Sequence, residues 1–277
     1  MPRARLDTAA LRAAGLPLSA PLCLSPAAWE TDIELPDEAP EAPDFVAPGL
    51  AYVEIVGPLS KAPDTLCGWF DGYQGECGIV GRFRRALSAP AARALLIYFD
   101  TPGGTTEGLE DAIAQMLSLS ALYQKPIVGW VDNALSAGFW IAATVCGTLF
   151  GGASAQAGSI GSYIAHVSIA GALAQEGEAV TLLANPPGKV AGNPYEPLSD
   201  LGRARFQRSV DACTGRFFSA VEVARGIPTA ALAELNGDIL EGEAAVQAGL
   251  LDGLSDMQTV IEYALALASA PVPQEGT

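Results

Sequence analysis

The chain has 277 residues, half of them hydrophobic and 17% charged, a balance that suits a globular protein with a buried core and excludes a disordered one. Its 15 Lys and Arg against 31 Asp and Glu give a formal net charge of -16, which argues against a protein that grips nucleic acid through phosphate contacts. The five cysteines (Cys23, Cys67, Cys77, Cys146 and Cys213) form no CxxC pair, so reduced thiols are expected and no metal or cofactor is.

From the amino end, residues 1–47 read as an N-terminal extension. Residues 32–48 are dense in acidic residues and proline, a composition that resists helix and sheet and reads as an extended linker. No leader-like apolar region is visible, and the longest apolar stretch, residues 128–152, is broken by Asp132, Asn133 and several glycines. The expectation is a cytoplasmic protein with no membrane anchor. Residues 48–269 read as one domain and residues 270–277 as a flexible tail.

Within that domain, strands are expected over 51–56, 94–99, 126–131 and 180–183, and helices over 79–87, 106–123, 136–144 and 199–225. The run 94–99 is apolar throughout, as a strand buried on both faces would be. Arg82, Arg84 and Arg85 suggest a solvated helix face. Leu201, Phe206, Val210, Cys213, Phe217 and Val221 mark one side of the long helix. Ser255 and Gln258 suggest a capping box for a last helix ending near residue 267. Alternation of strand and helix implies an α/β fold with a largely parallel sheet.

Three segments carry candidate chemistry, and each follows an expected strand, where sites of open α/β sheets gather. Asp100-Thr-Pro-Gly-Gly104 offers a tight turn with exposed N–H groups suited to an oxyanion, or an ordinary β-turn. In the segment 132–140, Ser136 stands between strand and helix, as an exposed hydroxyl at a helix N-terminus or as a plain N-cap. In the segment 186–199, Lys189 is alone among uncharged and acidic residues. It is either a surface lysine or, if buried, a base, because burial lowers the value near 10.4 at which lysine ordinarily titrates. The single histidine, His166, is the one residue that could complete a Ser-His-Asp triad, and its apolar neighbours suggest a structural role.

Taken together, these segments resemble the S49 peptidases, signal peptide peptidase A-like serine proteases of the ClpP/crotonase fold. Residues 100–104 resemble the family's D-S-P-G-G turn with Thr101 in place of serine. Residues 136–142 resemble its nucleophile segment, 157–161 its G-S-[IL]-G motif, 189–199 the base segment of its phage branch, and 240–252 its closing run. The likeness extends over about residues 51–267. It implies an α/β, ClpP/crotonase-like fold with a largely parallel sheet flanked by helices. It also implies a Ser136–Lys189 dyad, with Ser159 orienting the lysine amine. Backbone N–H groups of Gly103 and Ala137 would form the oxyanion hole, and Gly104, Thr105 and Gly138 would border the substrate. Gly188 departs from the histidine frequent before the catalytic lysine in the phage branch.

The resemblance further implies a homo-oligomeric ring, with the dyad formed either within one subunit or across a subunit boundary. The phage branch consists of capsid assembly proteases of head maturation, so scaffold or capsid proteins are the expected substrates, and the host cytoplasm or the procapsid the expected location. The end of the chain soon after its last expected helix suggests that any scaffold is a separate protein. Three rival readings share the fold: a cellular peptidase of the same family, an acyl-CoA enzyme of the crotonase type, and a non-catalytic capsid assembly factor.

Overall fold

The computed structural model describes residues 44–61 and 78–269 in full, and the backbone alone of residues 3–5, 22–24 and 32–34. In the amino-terminal extension the strands are β1 (Arg3–Arg5), β2 (Leu22–Leu24) and β3 (Asp32–Glu34). β1 and β3 pair antiparallel in a register that sets Arg3 opposite Glu34 and Arg5 opposite Asp32. β4 (Asp44–Ala47) pairs antiparallel with β5 (Leu50–Val56). The acidic, proline-rich stretch 32–48 thus holds two short strands where its composition pointed to a linker, because each finds a partner strand that composition cannot reveal.

The domain continues with α1 (Ile79–Ser88), β6 (Ala94–Thr101), β7 (Gly103–Thr105), α2 (Leu109–Tyr123), β8 (Ile127–Leu135), α3 (Ala137–Val145) and β9 (Thr148–Gly158). It closes with α4 (Ala170–Gln175), α5 (Asp200–Arg225), α6 (Thr229–Glu234), β10 (Ile239–Glu241), α7 (Glu243–Gln247), β11 (Gly253–Leu254) and α8 (Met257–Ser269). The main sheet runs β10-β9-β8-β6-β5-β4, with β11 also pairing β9. Its four central strands are parallel, and β4 and β10 are antiparallel to their neighbours.

Period-two alternation divides the apolar run of β6 between two cores. Leu95, Ile97 and Phe99 join the larger cluster with α1, α2, α3 and α5, while Ala94 and Leu96 join Val128, Trp130, Val260 and Ala264 beneath α8. A parallel strand buried on both faces is therefore apolar at every step. Helix α3 has no charged residue and lies wholly inside, with Thr144 alone partly exposed. Trp140 of α3 stacks on Phe217 of α5 with ring centroids 4.5 Å apart and planes 4° from parallel.

Several expectations fail for identifiable reasons. Residues 180–183 form no strand: Leu183 is 91% exposed, and no neighbouring strand takes up that backbone. The last helix is capped by Asp256, whose carboxylate accepts from the N–H and hydroxyl of Thr259, and not by Ser255 with Gln258. Arg82 turns back to donate to the Glu54 carbonyl, so the arginine face of α1 is only partly solvated. Along α5, Cys213, Phe217 and Val221 are buried but Leu201 is 51% exposed. A helix of 26 residues spans about 39 Å, and its amino half leaves the core. There residues 161–198, mostly without regular structure, form an arm that packs along it. Ser162 Oγ donates to the Val210 carbonyl, and His166 lies against Phe206.

Candidate active site

The carboxyl end of β8 delivers Ser136. Its N–H donates to the Gly158 carbonyl at 2.8 Å, continuing the β8–β9 ladder, and its carbonyl accepts from Trp140 N–H at 3.0 Å, opening α3. One residue therefore closes a strand and starts a helix, and the turn between them is sharp. Ser136 sits at φ 53°, ψ −118°, a left-handed conformation costly for any residue with a Cβ, by about 1–3 kcal/mol. Its hydroxyl does not cap the helix, which removes the plain N-cap explanation. A serine held on a strained strand-to-helix turn, with the uncapped helix N–H groups of Ala137 and Gly138 beside it, has the geometry of a nucleophile elbow. Ser136 is 1% exposed and Ala137 fully buried.

The turn after β6 builds the neighbouring wall. Thr101 is fully buried; its hydroxyl donates to the Gly57 carbonyl at 2.6 Å and accepts from Gly103 N–H at 3.2 Å. The N–H expected to serve an oxyanion is thus engaged within the chain. Two glycines here are required by close approach. A Cβ on Gly104 would lie 1.8 Å from the Leu59 carbonyl oxygen, and one on Gly138 would lie 2.3 Å from the Thr101 methyl. The second contact locks the first turn of α3 against the end of β6, and α3 also packs on β7. Thr105 is buried, and its hydroxyl has no hydrogen-bond partner.

Ser159 follows β9 as Ser136 follows β8. Leu135 pairs with Gly158, so the two serines leave adjacent parallel strands side by side. Ser159 is also left-handed, at φ 53°, and its N–H donates to the Asp238 carbonyl at 2.8 Å. The structure therefore brings Ser136, Ala137, Gly138, Gly103, Gly104, Thr105 and Ser159 to one end of the sheet. Lys189 is not joined to them. It lies in a 3-10 turn, Pro187–Val190, on the arm, is exposed, and forms no hydrogen bond with Ser136 or Ser159. His166 Nε2 is 3.0 Å from the Asn193 carbonyl, so the histidine braces the arm. Sequence reasoning noted Thr101 only as a substitution; its burial, its two bonds and its contact with Gly138 make it the link between the turn and α3.

Other perturbed groups lie outside the site. Burial, followed by the Asp132 carboxylate to which its hydroxyl donates at 2.6 Å, pushes the Tyr98 phenol up. Burial likewise pushes the Cys146 thiol up. Burial lowers Lys125, which donates to the Leu87 and Ala89 carbonyls. Lys125 precedes β8 at its amino end, about 30 Å of strand from Ser136, and so cannot be the site's base. A groove of about 630 Å³ between α2 and α5 reaches α3 only at Trp140 and includes none of the candidate site residues. Among the described residues no cluster of His, Cys, Asp or Glu could hold a metal ion, and no helix is long and apolar enough to cross a membrane.

A largely parallel sheet flanked by helices, with a serine on a strained turn at the carboxyl end of a central strand, defines an α/β protein with a candidate site at that end of the sheet. Residues 121–270 match the model of peptidase family S49. The chain is 31% identical over 223 residues to the head-tail preconnector protein GP5 of Enterobacteria phage P21, covering 79% of this chain and 44% of that protein. It is 31% identical over 226 residues to the capsid assembly protease C of Escherichia phage lambda, covering 78% of this chain and 49% of that protein. This chain belongs to peptidase family S49. It spans about half the length of these two phage relatives. Among solved structures, a membrane-bound stomatin-specific protease in complex with a substrate peptide superposes with a TM-score of 0.48 and 16% identity, covering 79% of this chain and 80% of that one.

Proposed function

We propose that this chain is a serine endopeptidase of phage or prophage head maturation, acting on scaffold or capsid proteins, with Ser136 as nucleophile and Lys189 as general base. The observation that carries the reading is the backbone of Ser136, strained at φ 53° between β8 and a buried, uncapped helix. Strain of this kind persists where the surrounding structure holds it, and here it sets a hydroxyl beside unsatisfied N–H groups. Ser136 Oγ attacks the scissile carbonyl, and Lys189 takes its proton and later gives it to the leaving amine. The tetrahedral oxyanion is met by Ala137 N–H, and by Gly103 N–H once it leaves the Thr101 hydroxyl. Ser159, beside Ser136 at the strand ends, orients the lysine amine.

Exposure of Lys189 on the arm supports a site completed by assembly: the lysine serving one Ser136 comes from a neighbouring subunit in a ring. The names of the phage relatives, a capsid assembly protease and a head-tail preconnector, support the procapsid as the place of action.

The test is labelling of the purified, assembled protein with a fluorophosphonate probe. The wild type is expected to be labelled at Ser136, and Ser136→Ala and Lys189→Met are expected to lose labelling. Equal labelling of the wild type and Ser136→Ala contradicts the reading. A wild type that remains unlabelled although assembled supports instead the non-catalytic assembly factor of the same fold.

A further inference from the structure

The short strand β7 stands apart from the main sheet and has two edges. One is used within the domain: Leu59 N–H donates to the Gly103 carbonyl at 2.8 Å, and Thr105 N–H donates to the Leu59 carbonyl at 2.9 Å. Backbone groups of successive strand residues point to opposite sides, so the N–H and carbonyl of Gly104 face the other edge. That edge is also taken. β2 of the amino-terminal extension pairs there antiparallel, with Leu22 opposite Thr105, Cys23 opposite Gly104 and Leu24 opposite Gly103. Cys23 is therefore the residue that exchanges backbone hydrogen bonds with Gly104.

The position matters because β7 packs on α3, which Ser136 immediately precedes. An extended peptide that offers a carbonyl to Ser136 needs an open strand edge beside it, and the outer edge of β7 is the edge the fold leaves there. Residues 22–24 hold that edge, and they run from Thr105 toward Gly103 and the turn at Pro102. In the sequence the segment is Pro21-Leu-Cys-Leu-Ser-Pro26, an apolar triplet between two prolines. A proline has no N–H to give a ladder, so the pairing is confined to a few residues. Such a short pairing is strong enough to occupy the edge and weak enough to be displaced.

We infer that Leu22–Leu24 is a built-in occupant of the substrate edge of β7, and that it must leave before another chain can be cut. The inference rests on the protease reading, so its test has one arm that does not depend on catalysis. In the assembled 277-residue chain, Cys23→Pro removes the N–H that faces Gly104, whereas Cys23→Ala removes only the thiol. Amide hydrogen exchange at Gly104, whose N–H faces β2, is expected to quicken by about tenfold in Cys23→Pro and to stay at the wild-type rate in Cys23→Ala, while Gly103 and Thr105, bonded to Thr101 and Leu59, keep their rates. Hydrolysis of a fluorescently labelled unfolded protein is expected to rise several-fold in Cys23→Pro only, and exchange in β6 and β8 reports that the domain remains folded.

Unchanged exchange at Gly104 in Cys23→Pro overturns the proposal. So does faster exchange without faster hydrolysis in a protein that the fluorophosphonate probe labels at Ser136, since the strand would then be covered but not gated. A chain that is never labelled at Ser136 defeats the protease reading, and the exchange result still decides whether β2 occupies the edge.

Discussion

The two halves of the proposed dyad sit in opposite physical settings. Ser136 is held by the β8–β9 ladder on one side and by a helix buried on nearly all its faces on the other, with Gly138 wedged against Thr101. Lys189 rides on an arm with little regular structure, laid along the half of α5 that has left the core, where Leu183 is 91% and Leu201 51% exposed. A strained, left-handed serine can be maintained only where many contacts over-determine it, and the sheet end supplies them. The arm supplies few, so the position of its lysine is open to a neighbouring molecule. Apolar side chains such as Leu183, Val180 and Val167, exposed along that arm, are what a subunit contact would cover.

Perturbing each half should therefore give different readouts. The largest effect on folding is expected at the sheet end: Phe217→Ala removes the ring stacked on Trp140 and should cost about 3–5 kcal/mol in chemical denaturation. A cost under 1 kcal/mol would show that α3 is not held through that stack. On the arm, Leu183→Ser should change the stability of the isolated chain by no more than about 0.5 kcal/mol, as exposed substitutions do. It should, however, shift the assembled form toward monomer in light scattering and lower peptide hydrolysis in proportion. Unaltered assembly would remove this residue from the interface.

The smallest effect is expected far from both, at the cap of α8. The N–H and hydroxyl of Thr259 hold the Asp256 carboxyl below its ordinary range. A carboxyl lowered in the folded state stabilises above its unfolded value, near 3.9, and loses that contribution as pH falls through the folded one. The small melting-temperature deficit of Asp256→Ala should therefore be present at pH 7 and vanish in strong acid. A deficit that persists there would mean that the side chain acts through packing instead.

The legible parts of the sequence were those with local cause. The apolar runs of β6 and β8, the small-residue helix α3 and the long helix α5 are written in neighbouring residues. β9 was missed because Thr148–Gly158 is mainly Gly, Ala and Ser without clear alternation, and it is a strand because β8, β10 and β11 pair with it. Residues 180–183 misled in the other direction, their composition suiting a strand that no partner completes. At the site, serine, glycine turn and Ser159 were readable as ordered motifs. The engagement of Gly103 by Thr101 and the seating of β2 on β7 were not, since both depend on residues brought together by the fold.

The central claim is that a preorganised Ser136 is served by a lysine from another subunit, and mixing two inactive variants tests it most directly. Ser136→Ala keeps Lys189, and Lys189→Met keeps Ser136. If the dyad crosses between chains, oligomers reassembled from both variants contain complete sites and should recover a measurable fraction of wild-type hydrolysis. If mixed oligomers stay as inactive as either parent while the reassembled wild type is active, the dyad lies within one chain and the claim is wrong.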